Sequence, residues 1–222
     1  MILEGRQLSR VYGANDASTV ALAECDVVLR RGEVLTVVGP SGSGKSTLLH
    51  LLSGLDAPTT GSVWFEQVDL KTLSDSTSAS VRARRMGFVL QRNNLISSLT
   101  VRENVAAPLM LSGVVRRKAL EIADRMLKRV GVGHRAAAFP GQISGGEAQR
   151  AAVARACIGE PAVIFADEPT GAVDRAAGGV VMDLFDQLVR ESGASAIIVT
   201  HDRAVASRGD STLTLIDGRS AS

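Results

Sequence analysis

The chain has 222 residues, of which 45% are hydrophobic and 22% charged, a balance that excludes a largely disordered polypeptide and suits one core with a small subdomain. A net charge of +2 is too mild for a nucleic-acid binder, which concentrates a basic stripe on one face, so no nucleic-acid partner is expected. Aromatic residues make up only 3%, so the core is expected to be built from Leu, Val, Ile and Ala.

In chain order, residues 35–38 read as a buried strand ending in a Gly-rich turn, and residues 45–52 as a helix closed by Gly54 and Pro58. Residues 63–70 and 86–90 fit strands, while the Ser/Thr-rich stretch 74–80 reads as an exposed loop. From about residue 100 to 138 the pattern turns helical, with apolar residues three and four apart over 101–111 and 117–130. Phe139-Pro140-Gly141 closes this stretch. Strand-and-helix alternation resumes with an apolar run at 162–166, a helix over 176–191, and strands at 195–200 and 212–216, the last running into an Asp217-Gly218 turn. The alternation predicts an α/β fold.

The short basic runs at Arg30-Arg31, residues 82–85 and Arg116-Arg117-Lys118 read as solvated surface. Cys25 and Cys157 lie far apart without metal-ligand spacing, so they are expected to be free buried thiols of a reducing compartment. The first residues lack the plan of a signal peptide, and no apolar run approaches the ~18 residues of a membrane helix. The expectation is a cytosolic protein, or one held at a membrane by a partner.

The strongest chemical signal is Gly39-Pro40-Ser41-Gly42-Ser43-Gly44-Lys45-Ser46, followed by Thr47. It matches the P-loop pattern, in which glycines turn backbone N–H groups onto phosphates and the following helix adds its positive end. Lys45 can reach the β- and γ-phosphates, and the Ser46 hydroxyl can ligate Mg²⁺. The bland alternative is a Gly-rich strand-to-helix turn without a ligand. Residues 163–168, Val-Ile-Phe-Ala-Asp-Glu, deliver two adjacent acids at the tip of an apolar strand. Asp167 suits the metal's surroundings and Glu168 a general base for attacking water.

Ile143-Ser144-Gly145-Gly146-Glu147 could be an ordinary helix start, with Ser144 and Glu147 forming a capping box. Its place in the chain, with Ser144 23 residues before Asp167 (167 − 144), makes it resemble the signature motif of the ABC ATPases. Further residues match that family in order. Gln91 resembles its Q-loop glutamine, which touches the metal, and Asp174 its D-loop aspartate. His201 resembles the histidine that contacts the γ-phosphate, and Tyr12 an aromatic that stacks on adenine. The resemblance runs from about residue 2 to 219. Ile143 for Leu, Ala148 for Gln and Gly171-Ala172-Val173 before Asp174 depart from the commonest forms without removing a catalytic polar group.

The resemblance implies a P-loop NTPase (RecA-like) core with an antiparallel β portion and a helical subdomain inserted at about residues 93–158, the whole forming one cassette. It implies ATP and Mg²⁺ as ligands, with Ser46, Gln91 and Asp167 around the metal. Two copies would close head to tail, so that Ser144, Gly145, Gly146, Glu147 and Asp174 of one subunit meet the ATP held by the other. Separate integral membrane permease subunits would recruit the chain to the cytoplasmic face of the cell membrane. Residues 54–59 and 99–105 resemble the macrolide-export and lipoprotein-release group, which implies export or extraction. A mechanotransmitter that regulates a cell-envelope enzyme without moving cargo is the alternative. A soluble ABC protein acting on ribosomes or DNA, and an unrelated P-loop kinase or GTPase, stand further off: no long insertion fits between Lys45 and Asp167, which stand 122 positions apart (167 − 45), and a kinase leaves residues 144–147 unexplained.

Overall fold

A computed structural model describes residues 1–13, 18–91 and 95–221. The expected start of the helical insertion, residue 93, lies outside them. In chain order the elements are β1 (Leu3–Tyr12), β2 (Thr19–Leu29), β3 (Val34–Val38), α1 (Lys45–Leu52), β4 (Thr60–Phe65), β5 (Val68–Asp69), α2 (Asp75–Arg85) and β6 (Met86–Val89). They continue with α3 (Val101–Leu111), α4 (Arg116–Arg129), α5 (Gly145–Cys157), β7 (Val163–Asp167), α6 (Arg175–Ser192), β8 (Ser195–Thr200), α7 (Arg203–Ala206), β9 (Ser211–Ile216) and β10 (Arg219–Ala221). The chain is α/β, and it divides into two compact units, Met1–Ala79 with Ser195–Ser222, and Ser80–Ala194.

The first unit holds an antiparallel sheet in the order β2-β1-β4-β5. It also holds β3 paired in parallel with both β8 and β9, with β10 antiparallel on β9. Every residue of β8 is buried, as suits a strand covered on both faces. Leu48, Leu49, Leu51 and Leu52 of α1 are fully buried, as are Leu8, Leu22 and Leu29 of β1 and β2, so a Leu-rich core forms as the composition required.

Strands β1 and β2 have no counterpart in the sequence-predicted elements. Gln7 and Glu24 adopt positive φ of 49° and 41°, and the register of β1 against β2 shifts between Gly5 and Leu8. Such bulges flip the inward-facing set midway and erase the period-2 signal. Nor is the expected strand 63–70 continuous. Glu66 and Gln67, at φ 48° and 69°, make a two-residue turn that folds β5 back on β4, with Phe65 opposite Val68. Positive φ at both central residues defines the hairpin turn that glycine usually signals; here neither residue is glycine. Residues 75–80, expected as part of a loop, begin α2: the Ser74 hydroxyl accepts from Thr77 N–H at 3.3 Å and Ser78 N–H donates to Ser74 O at 2.8 Å. The helix has no buried residue, and a Ser-capped start explains a composition that otherwise reads as loop.

The second unit pairs β6 and β7 in parallel, Met86 opposite Val163, with Phe88 and Phe165 stacked at 5.6 Å between ring centres. Around them lie α3, α4, α5 and α6. Thr100 and Glu103 form a capping box that starts α3, and buried Asn104 ties the preceding turn to the helix by donating to Ile96 O, Leu99 O and Thr100 O while accepting from Ile96 N–H. Strand β6 presses directly on α5: a Cβ on Gly87 would stand 2.2 Å from Ala156 O.

Two outcomes follow from this packing. Gly87→Ala must push β6 off α5, an overpacking cost of about 1–3 kcal/mol, and differential scanning calorimetry should show the lowered Tm. Burial pushes the Cys25 thiol up to about 11 and the Cys157 thiol up to about 12. Both should therefore resist thiol reagents at about pH 8 and react only on unfolding, because the thiolate is the nucleophile.

Candidate functional site

In the first unit the Gly-rich loop links the end of β3 to the start of α1, and two glycines are imposed by close backbone. A Cβ on Gly39 would meet Leu215 O of β9 at 2.1 Å, and one on Gly44 would meet Ala21 O of β2 at 2.3 Å. Gly44 also has φ 92°, which an L side chain rarely adopts. As the N-cap of α1 it supplies no side chain to the first turn, which contains no acid. The positive end of the helix is therefore left for an external anion.

Two observations test whether a phosphate suits this loop. The buried Lys45 ammonium donates to Gly39 O at 2.9 Å and Pro40 O at 2.8 Å, so the cation is folded over its own loop. The Ser43 hydroxyl is buried and, among the described residues, has no hydrogen-bond partner. An unsatisfied buried hydroxyl costs about 1–3 kcal/mol, which an anionic oxygen would relieve. The loop fits a phosphate group.

His201 follows β8 directly. It lines a cavity of about 500 Å³ together with Val38, Gly39, Arg203 and Thr212, so the histidine shares a wall with the first residue of the loop. Asp202 caps α7 by accepting from Ala204 N–H at 2.8 Å.

Tyr12 ends β1 and is 40% exposed. Its hydroxyl donates to Asp56 Oδ2 at 2.8 Å, and the Arg10 guanidinium lies 4.6 Å from the ring centre while also binding Asp56 Oδ1 at 2.7 Å. Partial burial pushes the Asp56 carboxyl up, but the Tyr12 hydroxyl, the Ala57 N–H and Arg10 together hold it below the usual carboxylate range. The aromatic ring thus has one face backed by a cation and its edge fixed by a carboxylate. Neither Arg10 nor Asp56 was singled out from sequence as a partner of Tyr12, because nothing local links Asp56, in the stretch after the helix 45–52, to residues near 12.

In the second unit β7, buried at every position, ends at Asp167, with Glu168 next and also buried. Glu168 has φ 45°, a strained conformation for a non-glycine residue, and its carbonyl accepts from Gly171 N–H at 2.9 Å. Gln91 lies close by: a Cβ on Gly171 would come 3.5 Å from Gln91 Cγ. Buried Gln149 of α5 donates to Pro169 O at 2.6 Å, so α5 anchors the segment that follows the two acids. Sequence reasoning missed this tie; a Gln in a helix is usually exposed, and only burial reveals it.

Ser144 caps α5 through a capping box with Glu147, the arrangement that an ordinary helix start would also show. Both Glu147 oxygens are engaged within the unit, Oε2 by Ser144 and Oε1 by Arg135 and His134. Asp174 is exposed and caps α6, accepting from Ala176 N–H at 3.0 Å and Ala177 N–H at 2.9 Å. A Cβ on Gly145 would stand 3.2 Å from Ala172 O, which sets the start of α5 beside the residues that precede Asp174.

A strand–glycine loop–helix with an embedded lysine, a strand tip bearing two acids, and a Ser-Gly-Gly-capped helix together define an ATP-binding cassette. The sequence profile of the ABC transporter family matches residues 22–171, and the chain belongs to that family as an ATP-binding subunit. The lipoprotein-releasing system ATP-binding protein LolD of Shewanella frigidimarina is 41% identical over 217 residues, covering 98% of this chain and 91% of that protein. LolD of Gluconobacter oxydans is 42% identical over 217 residues, covering 98% and 93%. Among solved structures, the dimeric ATP-binding cassette MJ0796 in a post-hydrolysis state with ADP and phosphate superposes with a TM-score of 0.92 at 34% identity, covering all of this chain and 97% of that one. Among the described residues, no helix is long and apolar enough to cross a membrane.

Gly44→Ala tests the loop. A methyl group there must displace β2 or the loop, so equilibrium binding of a fluorescent ATP analogue should be lost while far-ultraviolet circular dichroism stays folded.

Proposed function

We propose that this chain hydrolyses ATP to drive the release of lipoproteins from a membrane, as one cassette of a pair bound to membrane subunits on separate chains at the cytoplasmic face. The lysine folded over its own loop, beside a Ser43 hydroxyl with no partner among the described residues, carries the nucleotide part of this reading. The lipoprotein-releasing systems to which the LolD relatives belong support the cargo, and the dimeric solved cassette supports the pairing.

Residues 1–222 act as one cassette. Residues 39–47 wrap the phosphates with backbone N–H groups, and Lys45 exchanges the Gly39 and Pro40 carbonyls for β- and γ-phosphate oxygens. Tyr12, backed by Arg10, offers its remaining face to adenine. Ser46, Gln91 and Asp167 are hard oxygen donors suited to Mg²⁺. Bound there, Mg²⁺ supplies neutralising charge to the phosphates.

Glu168 takes a proton from the attacking water, its carboxylate kept at a buried strand tip where little other water competes. His201 holds the γ-phosphate. Ser144, Gly145 and Gly146 present the start of α5 to the nucleotide of the opposite cassette, and Asp174 faces the same partner. Closure excludes water and orders these groups, and loss of the γ-phosphate reopens the pair.

Glu168→Gln should retain ATP binding, lose hydrolysis by a factor of about 10² or more, and accumulate as a dimer in ATP on size-exclusion chromatography. Turnover equal to the parent would remove Glu168 from the role of base. For the cargo, the chain should be co-purified from native membranes with its membrane subunits and reconstituted with a radiolabelled lipoprotein. ATP-dependent transfer to a soluble acceptor supports release, whereas ATP-driven rearrangement without transfer would replace it by mechanotransmission.

A further inference from the structure

We infer that Arg135, assisted by His134, is a positioning residue for the signature helix: it neutralises Glu147 so that the Ser144 hydroxyl and the first turn of α5 can accept the partner's phosphate. The inference rests on the paired-cassette reading above and adds residues outside the motif to it.

The geometry presents a conflict between fold and function. Ser144 N–H and Ser144 Oγ both donate to Glu147 Oε2, at 2.8 and 3.0 Å, while Glu147 N–H donates back to Ser144 Oγ at 3.3 Å. As a capping box this is sound, since a carboxylate at the third position favours a helix N-terminus. The same carboxylate is a full negative charge at the mouth of a site meant for a triphosphate, and like charges a few ångströms apart repel. The Ser144 backbone N–H and Arg135 hold the Glu147 carboxyl at about 2, so protonation does not relieve the repulsion.

A second arm resolves the conflict. Arg135 Nε donates to Glu147 Oε1 at 3.0 Å, and His134 Nε2 lies 3.0 Å from the same oxygen. Both come from the 3₁₀ turn Gly133–Arg135 that follows α4, not from α5 itself. That turn is fixed by Arg135 N–H donating to Val132 O at 3.0 Å and Ala138 N–H donating to Arg135 O at 2.9 Å. The Glu147 side chain is only 12% exposed, against 45% for Arg135, so the cation covers the acid from the solvent side. A capping box needs no such arm for helix stability. The arm offsets the charge at Oε1, so that a phosphate oxygen can take the Ser144 O–H from Oε2.

The test uses the purified full chain carrying Glu168→Gln, which arrests hydrolysis, and measures the ATP concentration at half-maximal dimerisation by light scattering. Replacing both donors by neutral ones, His134→Asn with Arg135→Gln, should raise that midpoint about tenfold while far-ultraviolet circular dichroism stays folded. Adding Glu147→Gln should restore it, because the uncompensated charge is then gone, and Arg135→Lys alone should leave it near the parent value. A midpoint that does not move, or a rise that Glu147→Gln fails to relieve, would overturn the inference while leaving the paired cassette intact. Absence of ATP-driven dimerisation in Glu168→Gln itself would overturn the pairing and this inference together.

Discussion

Two backbone carbonyls set the terms for the first unit. Leu215 O and Ala21 O stand where side chains on Gly39 and Gly44 would have to go, so β9 and β2 hold the loop between β3 and α1 from both ends. That confinement buries the Ser43 hydroxyl, which has no hydrogen-bond partner among the described residues, and folds Lys45 onto its own loop. A looser loop would solvate both groups, and the anion preference would fade with the gain in local dielectric. Everything proposed for the nucleotide depends on this close approach, because it replaces water by fixed donors before a phosphate arrives.

The second unit solves a different problem with a single helix. The N-terminus of α5 carries Ser144, its interior sends Gln149 to Pro169 O, and its C-terminal turn presses Ala156 against Gly87. One rigid rod therefore connects the Ser-Gly-Gly start to the segment behind Asp167 and Glu168. The strained backbone at Glu168 is tolerated because β7 is wholly buried and the following turn is hydrogen-bonded.

Much of the fold was legible in the residues. The helices 45–52 and 101–111 and the strand 195–200 have the expected bounds, since each is a strongly patterned segment with a clear start or stop. The failures share a cause. β1 and β2 hide behind bulges at Gln7 and Glu24, and the β4–β5 hairpin turns on Glu66 and Gln67. In each case non-glycine residues occupy positive φ, which tertiary contacts enforce and local preference does not announce. The serine-rich start of α2 was hidden differently, by residues that cap a helix as readily as they line a loop.

By itself the sequence determined the glycine loop with Lys45, the Ser144-Glu147 cap and the paired acids, because each is a short-range arrangement of a few consecutive residues at an element boundary. Only the tertiary structure decided what supports them. Arg10 and Asp56 around Tyr12, Arg135 against Glu147, and Gln149 on Pro169 join residues from separate elements. Such pairs exist only where packing brings two segments together and withdraws them from water, and no local pattern of residue types encodes that.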